Sequence, residues 1–177
     1  MEQKFIMTAF GKDRPGIVAD VTKVIYESGC NLEDSTMTLL SDEFALILLF
    51  AGREEGLEEK LSMECRRLEI EKALTAFIRP VQPAEGETEK KQSVHSLSVE
   101  GVDQAGITYK VSRYLAQNSI NIIDLRSKLT RSPESGQPFY MIKMLIEIPE
   151  GTSFDTLHDG FAEIEDQLHV DIRLDPN

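Results

Sequence analysis

FGKDRPGIV at residues 10–18 returns as EGVDQAGIT at residues 100–108. Sliding the chain on itself by 90 positions places Gly11 on Gly101, Asp13 on Asp103, Gly16 on Gly106 and Ile17 on Ile107. The same offset carries Val21 onto Val111, Asn31 onto Asn121, Asp34 onto Asp124 and Leu39 onto Leu129 without a gap. Solenoid repeats have periods of roughly 20–50 residues, so a period of 90 residues reads as a duplicated small domain.

Each copy begins with an apolar-rich strand, KFIMTAF at 4–10 and HSLSVEG at 95–101, that runs into the repeated turn. A helix follows. In the first copy Pro15 suits the first helical position, and Ile17, Val21, Val24 and Ile25 recur at helical spacing until Gly29. Ile107, Val111, Tyr114 and Leu115 repeat that stripe, which core packing explains. A hairpin is expected next, STMTLLS then EFALILLFA in the first copy and SKLT then FYMIKMLIEI in the second. Matching Phe139 to Phe44 gives the second hairpin five extra residues, placed in the exposed loop RSPESGQP. A second helix carries Leu57, Leu61, Cys65 and Leu68, or Phe154, Leu157, Phe161, Ile164 and Leu168, and a last strand closes each unit at 73–81 or 169–175.

The order βαββαβ predicts an α+β protein of two ferredoxin-like domains in tandem, each an antiparallel sheet with both helices on one face. The expected boundaries are 1–81 and 94–177, with the polar stretch 82–93 as a linker. FALILLF at 44–50 is apolar at every position, whereas a strand covered on one face alternates. Packing of the repeats on each other or a second chain would cover the other face, so a homodimer is expected.

With 31 acidic and 19 basic residues the net charge is −12, which opposes contact with a phosphate backbone or anionic lipid. The longest apolar run is strand length, so no membrane span is expected. The start MEQKF lacks the basic region and apolar core of an export signal, which points to the cytoplasm. Cys30 and Cys65 are too few for a disulfide framework and read as reduced, buried small hydrophobes.

A Gly-rich turn feeding a helix presents unpaired N–H groups and the positive end of the helix dipole, which suits a carboxylate. Asp13 offers an anion for an ammonium group, and the two together describe a free amino acid. Backbone geometry alone also explains a Gly and an Asp in such a turn. It is not a nucleotide loop, because Ile17-Val18 stands where Lys-Ser or Lys-Thr would.

The segments D-R-P-G-I-V at 13–18, G-C-N-L-E-D-S at 29–35 and L-x-x-x-E-F at 39–44 resemble an ACT domain, and more narrowly the transcriptional repressors of the glycine cleavage system. The second copy departs from the pattern, with Asp103-Gln104-Ala105-Gly106 lacking Arg and Pro. The resemblance implies binding of a free amino acid, glycine first among them, where the first turn of one ACT domain meets the Asn that starts the second strand of a neighbour. It nominates Gly11, Asp13, Arg14, Pro15, Gly16, Ile17 and Asn31, with Asp103, Gly106, Ile107 and Asn121 as second-copy counterparts. It further implies a regulator that acts through a DNA-binding transcriptional regulator as its partner, not through direct contact with nucleic acid.

An enzyme needs a reacting constellation, and none is legible. His95, His158 and His169 are scattered without metal-ligand spacing, so no metal and no cofactor are expected. The D-R-P-G turn is also similar to the regulatory segment of formyltetrahydrofolate deformylase, but a second small domain occupies the rest of the chain. RNA binding on a ferredoxin-like sheet needs exposed aromatics in a basic surround, and the K/R-G-F/Y-G/A-F pattern is missing. The remaining alternative is a protein–protein adaptor that takes no small ligand.

Overall fold

A computed structural model describes residues 2–81, 92–131 and 136–176, and the chain divides into two compact units, 1–85 and 86–177. The first unit runs β1 (Gln3–Lys12), α1 (Ile17–Glu27), β2 (Asn31–Leu40), β3 (Glu43–Gly52), α2 (Leu57–Lys72) and β4 (Thr75–Val81). The second repeats this order with β5 (Gln92–Val102), α3 (Ile107–Gln117), β6 (Asn121–Arg131), β7 (Pro138–Pro149), α4 (Phe154–Leu168) and β8 (Val170–Pro176). The sheets are antiparallel with orders β2-β3-β1-β4 and β6-β7-β5-β8, the split βαβ arrangement made twice. Residues 82–91 of the expected linker lie outside the described residues, and Gln92 and Ser93 are already strand β5.

Strand alternation decides each core. In the first unit Phe5, Met7 and Ala9 of β1 and Phe44, Leu46, Leu48 and Phe50 of β3 point one way, onto Ile17, Val21, Val24 and Ile25 of α1 and Leu57, Leu61, Cys65 and Leu68 of α2. Burial pushes the Cys65 thiol up to about 11, so it packs as an inert small hydrophobe. The second core repeats the plan with Leu97, Val99, Ile142, Met144 and Ile146 against Ile107, Val111, Leu115, Leu157, Phe161 and Ile164.

The opposite sheet faces differ between the units. In the first, Phe10, Ile47 and Phe77 stand exposed at 44%, 49% and 52%, with Thr8 paired to both Ile47 and Phe77. In the second, the corresponding face carries Arg126 opposite Lys143, Lys128 opposite Met141, and Arg173 opposite Ser98. Charge satisfies water on that face, whereas the first unit leaves a large apolar surface in solvent.

Three local expectations are corrected. Gly11 pairs with Phe44 and Gly101 with Tyr140, so Phe44 corresponds to Tyr140 and the second hairpin is longer by six residues (140 − 44 = 96, against the offset of 90), not five. Strands β2 and β6 begin at Asn31 and Asn121, earlier than the period-two pattern shows, because a register shift between Leu32 and Asp34, and again between Ile122 and Asp124, breaks the alternation. Pro15 is not the first helical residue. Helix α1 starts at Ile17 after Gly16, whose φ of 86° and ψ of −2° cannot belong to a right-handed helix.

Candidate functional site

The repeated turn is built by two glycines with different tasks. Gly16 sits at φ 86° and Gly106 at φ 98°, both with ψ −2°, the conformation of the third position of a type II turn. Pro15 precedes Gly16, as that turn prefers, and the Ile17 N–H donates to the Arg14 carbonyl at 3.3 Å. A Cβ at Gly16 would meet nothing within 4 Å, so the left-handed backbone, rather than crowding, demands glycine. At Gly11 and Gly101 the demand is for space. A Cβ on Gly101 would lie 3.1 Å from the His169 carbonyl oxygen and 3.0 Å from the Val170 Cα, and one on Gly11 3.3 Å from the Ala73 carbonyl oxygen. Each first strand therefore passes close against the end of its second helix just before the turn.

Gly16, having no side chain, offers α1 no cap, and with the Ile17 N–H already given to Arg14 it is the Val18 and Ala19 N–H groups that stay available beside the positive helix end. Asp13 opens the same turn, exposed, with its backbone N–H donating to the Asp42 carbonyl at 2.9 Å and no ion pair among the described residues. Arg14 folds back over the same helical turn, its Nη2 2.6 Å from Asp20 Oδ2, and Lys72 Nζ reaches Asp20 Oδ1 at 3.5 Å from the end of α2. The Arg14 hydrogen bond holds the Asp20 carboxyl below the usual carboxylate range, and the Lys72 charge adds to it against the cost of desolvation.

The second turn lacks the ion pair of the first. Gln104 stands in place of Arg14 and donates to the Leu168 carbonyl, while Lys110 replaces Asp20 and donates to Gln167 at 3.5 Å. Thr108 and Tyr140 pair through their hydroxyls at 3.2 Å beside a shallow concavity of about 410 Å³ that also touches Asp103, Gly106 and Ile107. In the first unit the matching positions hold Val18 and Phe44. The two turns share a backbone and differ in chemistry.

The nominated residues divide into two groups in space. Gly11, Asp13, Arg14, Pro15, Gly16 and Ile17 are contiguous, but Asn31 pairs with Ala51, which also pairs with Lys4 at the far end of β1. Gly11 sits instead level with Leu39, and Asn31 and Leu39 are separated along β2 by roughly 26 Å at the rise of a strand. Asn121 likewise pairs with Glu147, whose carboxylate accepts from the Asn121 side chain at 3.1 Å, away from Gly106. Asn31 and Asn121 therefore do not join the turn of their own unit. Asp20 and Lys72 escaped the sequence reading. The signal was present as a lone Asp in the first helical turn after Arg14, but the pair spans a turn and a helix, outside the usual i,i+4 spacing.

His95, His158 and His169 form no metal-binding group with Cys, Asp or Glu among the described residues. No helix among them is long and apolar enough to cross a membrane.

Comparison with known proteins places this fold. The ACT domain family model matches residues 3–78. The chain is 38% identical over 174 residues to the glycine cleavage system transcriptional repressor of Escherichia coli (strain K12), covering 93% of this chain and 85% of that protein, and equally to its Shigella flexneri counterpart. A crystal structure of a protein of unknown function from Galdieria sulphuraria superposes with a TM-score of 0.79 at 23% identity, over 100% of this chain and 99% of that one. That of a candidate glycine cleavage system transcriptional repressor superposes with a TM-score of 0.73 at 23% identity over the same shares. The two repressors at 38% identity are regulators, and the chain is a non-catalytic regulatory protein. Its two ACT-type units and its identity to the repressors over nearly the whole length show that this chain belongs to the glycine cleavage system transcriptional repressor family.

Proposed function

We propose that this protein senses a small free amino acid, glycine first, and passes the signal by direct contact to a DNA-binding transcriptional regulator in the cytoplasm. The observation that carries this reading is the first turn, where Gly16 leaves the Val18 and Ala19 N–H groups of α1 uncapped in the same turn that carries the exposed Asp13. An α-carboxylate suits the former and an α-ammonium the latter. Glycine needs no side-chain pocket, which matches a site made mostly of backbone. Arg14, Pro15 and Ile17 shape the turn, Asn31 is supplied from another ACT domain, and Asp103, Gly106, Ile107 and Asn121 are the weaker second set. The net charge of −12 supports action on a protein partner over contact with DNA.

The protein acts as a homodimer in this reading, supported by the apolar outer face of the first sheet at Phe10, Ile47 and Phe77. Signalling is a population shift. Ligand and regulator favour different arrangements, so each lowers the affinity for the other by about 1–3 kcal/mol, the usual size of allosteric coupling.

Calorimetric titration with glycine and a panel of other free amino acids tests the reading. Selective binding by the wild-type chain is expected, weakened at least about tenfold in Asp13→Ala, the loss of roughly one charge-assisted contact. Its denaturation midpoint should not move. Absence of binding by every amino acid would leave the ligand-free adaptor as the better account.

A further inference from the structure

Arg14 is the only guanidinium in either turn, and in the first unit an internal carboxylate already holds it. Asp20 bridges two cations, Arg14 in the turn and Lys72 in the last turn of α2, with its own side chain 22% exposed. It stands on the first turn of α1, where its N–H donates to the Gly16 carbonyl at 2.9 Å. Arg14 is therefore tied to the same helical turn whose Val18 and Ala19 N–H groups are uncapped. A guanidinium offers its best bidentate geometry to one carboxylate at a time. The second unit has Lys110 at the Asp20 position and Gln104 at the Arg14 position, so it lacks both the cation and its rival carboxylate.

We propose that Asp20 is an intramolecular competitor for the ligand carboxylate at the first turn, setting the affinity of that site and linking its occupancy to the end of α2. The inference rests on the reading that the turn binds an amino acid. An entering carboxylate takes Arg14, and Asp20 is left to Lys72, which keeps it compensated. Because Lys72 ends α2, ligand entry redistributes charge from the turn to the second helix without moving the core. The second turn has no such competition and no such link.

The competitor role makes opposite predictions for two neighbours. Asp20→Asn frees Arg14 and is expected to tighten glycine binding by about two- to fivefold, the range that an exposed ion pair commands. Lys72→Gln leaves Asp20 to Arg14 alone and is expected to weaken glycine binding by a similar factor. A purely structural bridge would give weakening in both variants. Glycine titrations of full-length wild type, Asp20→Asn, Lys72→Gln and Arg14→Gln/Asp20→Asn, each checked for an unchanged far-ultraviolet spectrum, decide between them. Tightening in Asp20→Asn that disappears in the double variant supports the competitor. Unchanged or weakened binding in Asp20→Asn, with wild type still binding, overturns it while sparing the amino-acid reading. Failure of wild type and all variants to bind glycine overturns both.

Discussion

Phe50→Ala is expected to cost about 3–5 kcal/mol of folding stability, as truncation of a fully buried aromatic does. Phe50 is fully buried on β3, directly opposite Phe5, with ring centroids 5.9 Å apart and planes inclined by 23°. Truncation removes that aromatic contact and leaves a cavity among Phe5, Leu48 and the two helices, where close packing limits collapse. For a unit of this size such a loss lowers the thermal midpoint by about 10 °C or more. Urea unfolding followed by circular dichroism measures it. A loss below about 1 kcal/mol would mean that the core relaxes around the gap, contrary to the packing described.

Ile47→Glu, three residues back on the same strand, is expected to leave folding nearly untouched and to break the proposed homodimer. Ile47 points away from the helices, 49% exposed, level with Thr8 on one side and Thr36 on the other. A carboxylate there costs little in the isolated chain, because the position is half in water. In an interface between two such faces it would be buried without a partner, which is strongly disfavoured. Sedimentation equilibrium should give twice the chain mass of 19.9 kDa for wild type and the single mass for Ile47→Glu. A wild-type monomer would remove the homodimer from the account, and a dimer that survives the substitution would move its interface elsewhere.

Phe50 and Ile47 also show how far the sequence could be read. The run FALILLF announced a strand apolar on both faces but not which face meets the helices; the fold turns Phe44, Leu46, Leu48 and Phe50 into the core. The duplication was legible because the turn needs glycine for a positive φ, and that demand leaves the same letters in both copies. Hairpin length was misjudged by one residue because matching Phe139 to Phe44 followed side-chain identity, whereas backbone pairing sets Tyr140 there. The bulge after Leu32 hid the start of β2, since an extra residue erases the period that marks a strand. The Arg14–Asp20–Lys72 bridge left only a lone Asp after Arg14 as its trace in the sequence. It joins a turn, one helix and the end of another, a juxtaposition that only the fold creates.

The same limit applies to the candidate site. The family resemblance, not spacing, drew Gly16, Asp13 and Asn31 into one motif shared between neighbours, and the strand direction puts Asn31 at the far end of its own sheet from the turn. In the proposed function two ACT domains complete the motif, each supplying one part. Glycine addition to the full-length protein, followed residue by residue in its amide NMR spectrum, tests this most directly. The account predicts saturable shifts at Asp13, Gly16, Val18 and Ala19 and at the Asn31 side chain, with the core amides of β1 and β3 unmoved. Shifts that avoid the first turn, or none at glycine concentrations far above cellular levels, would contradict it.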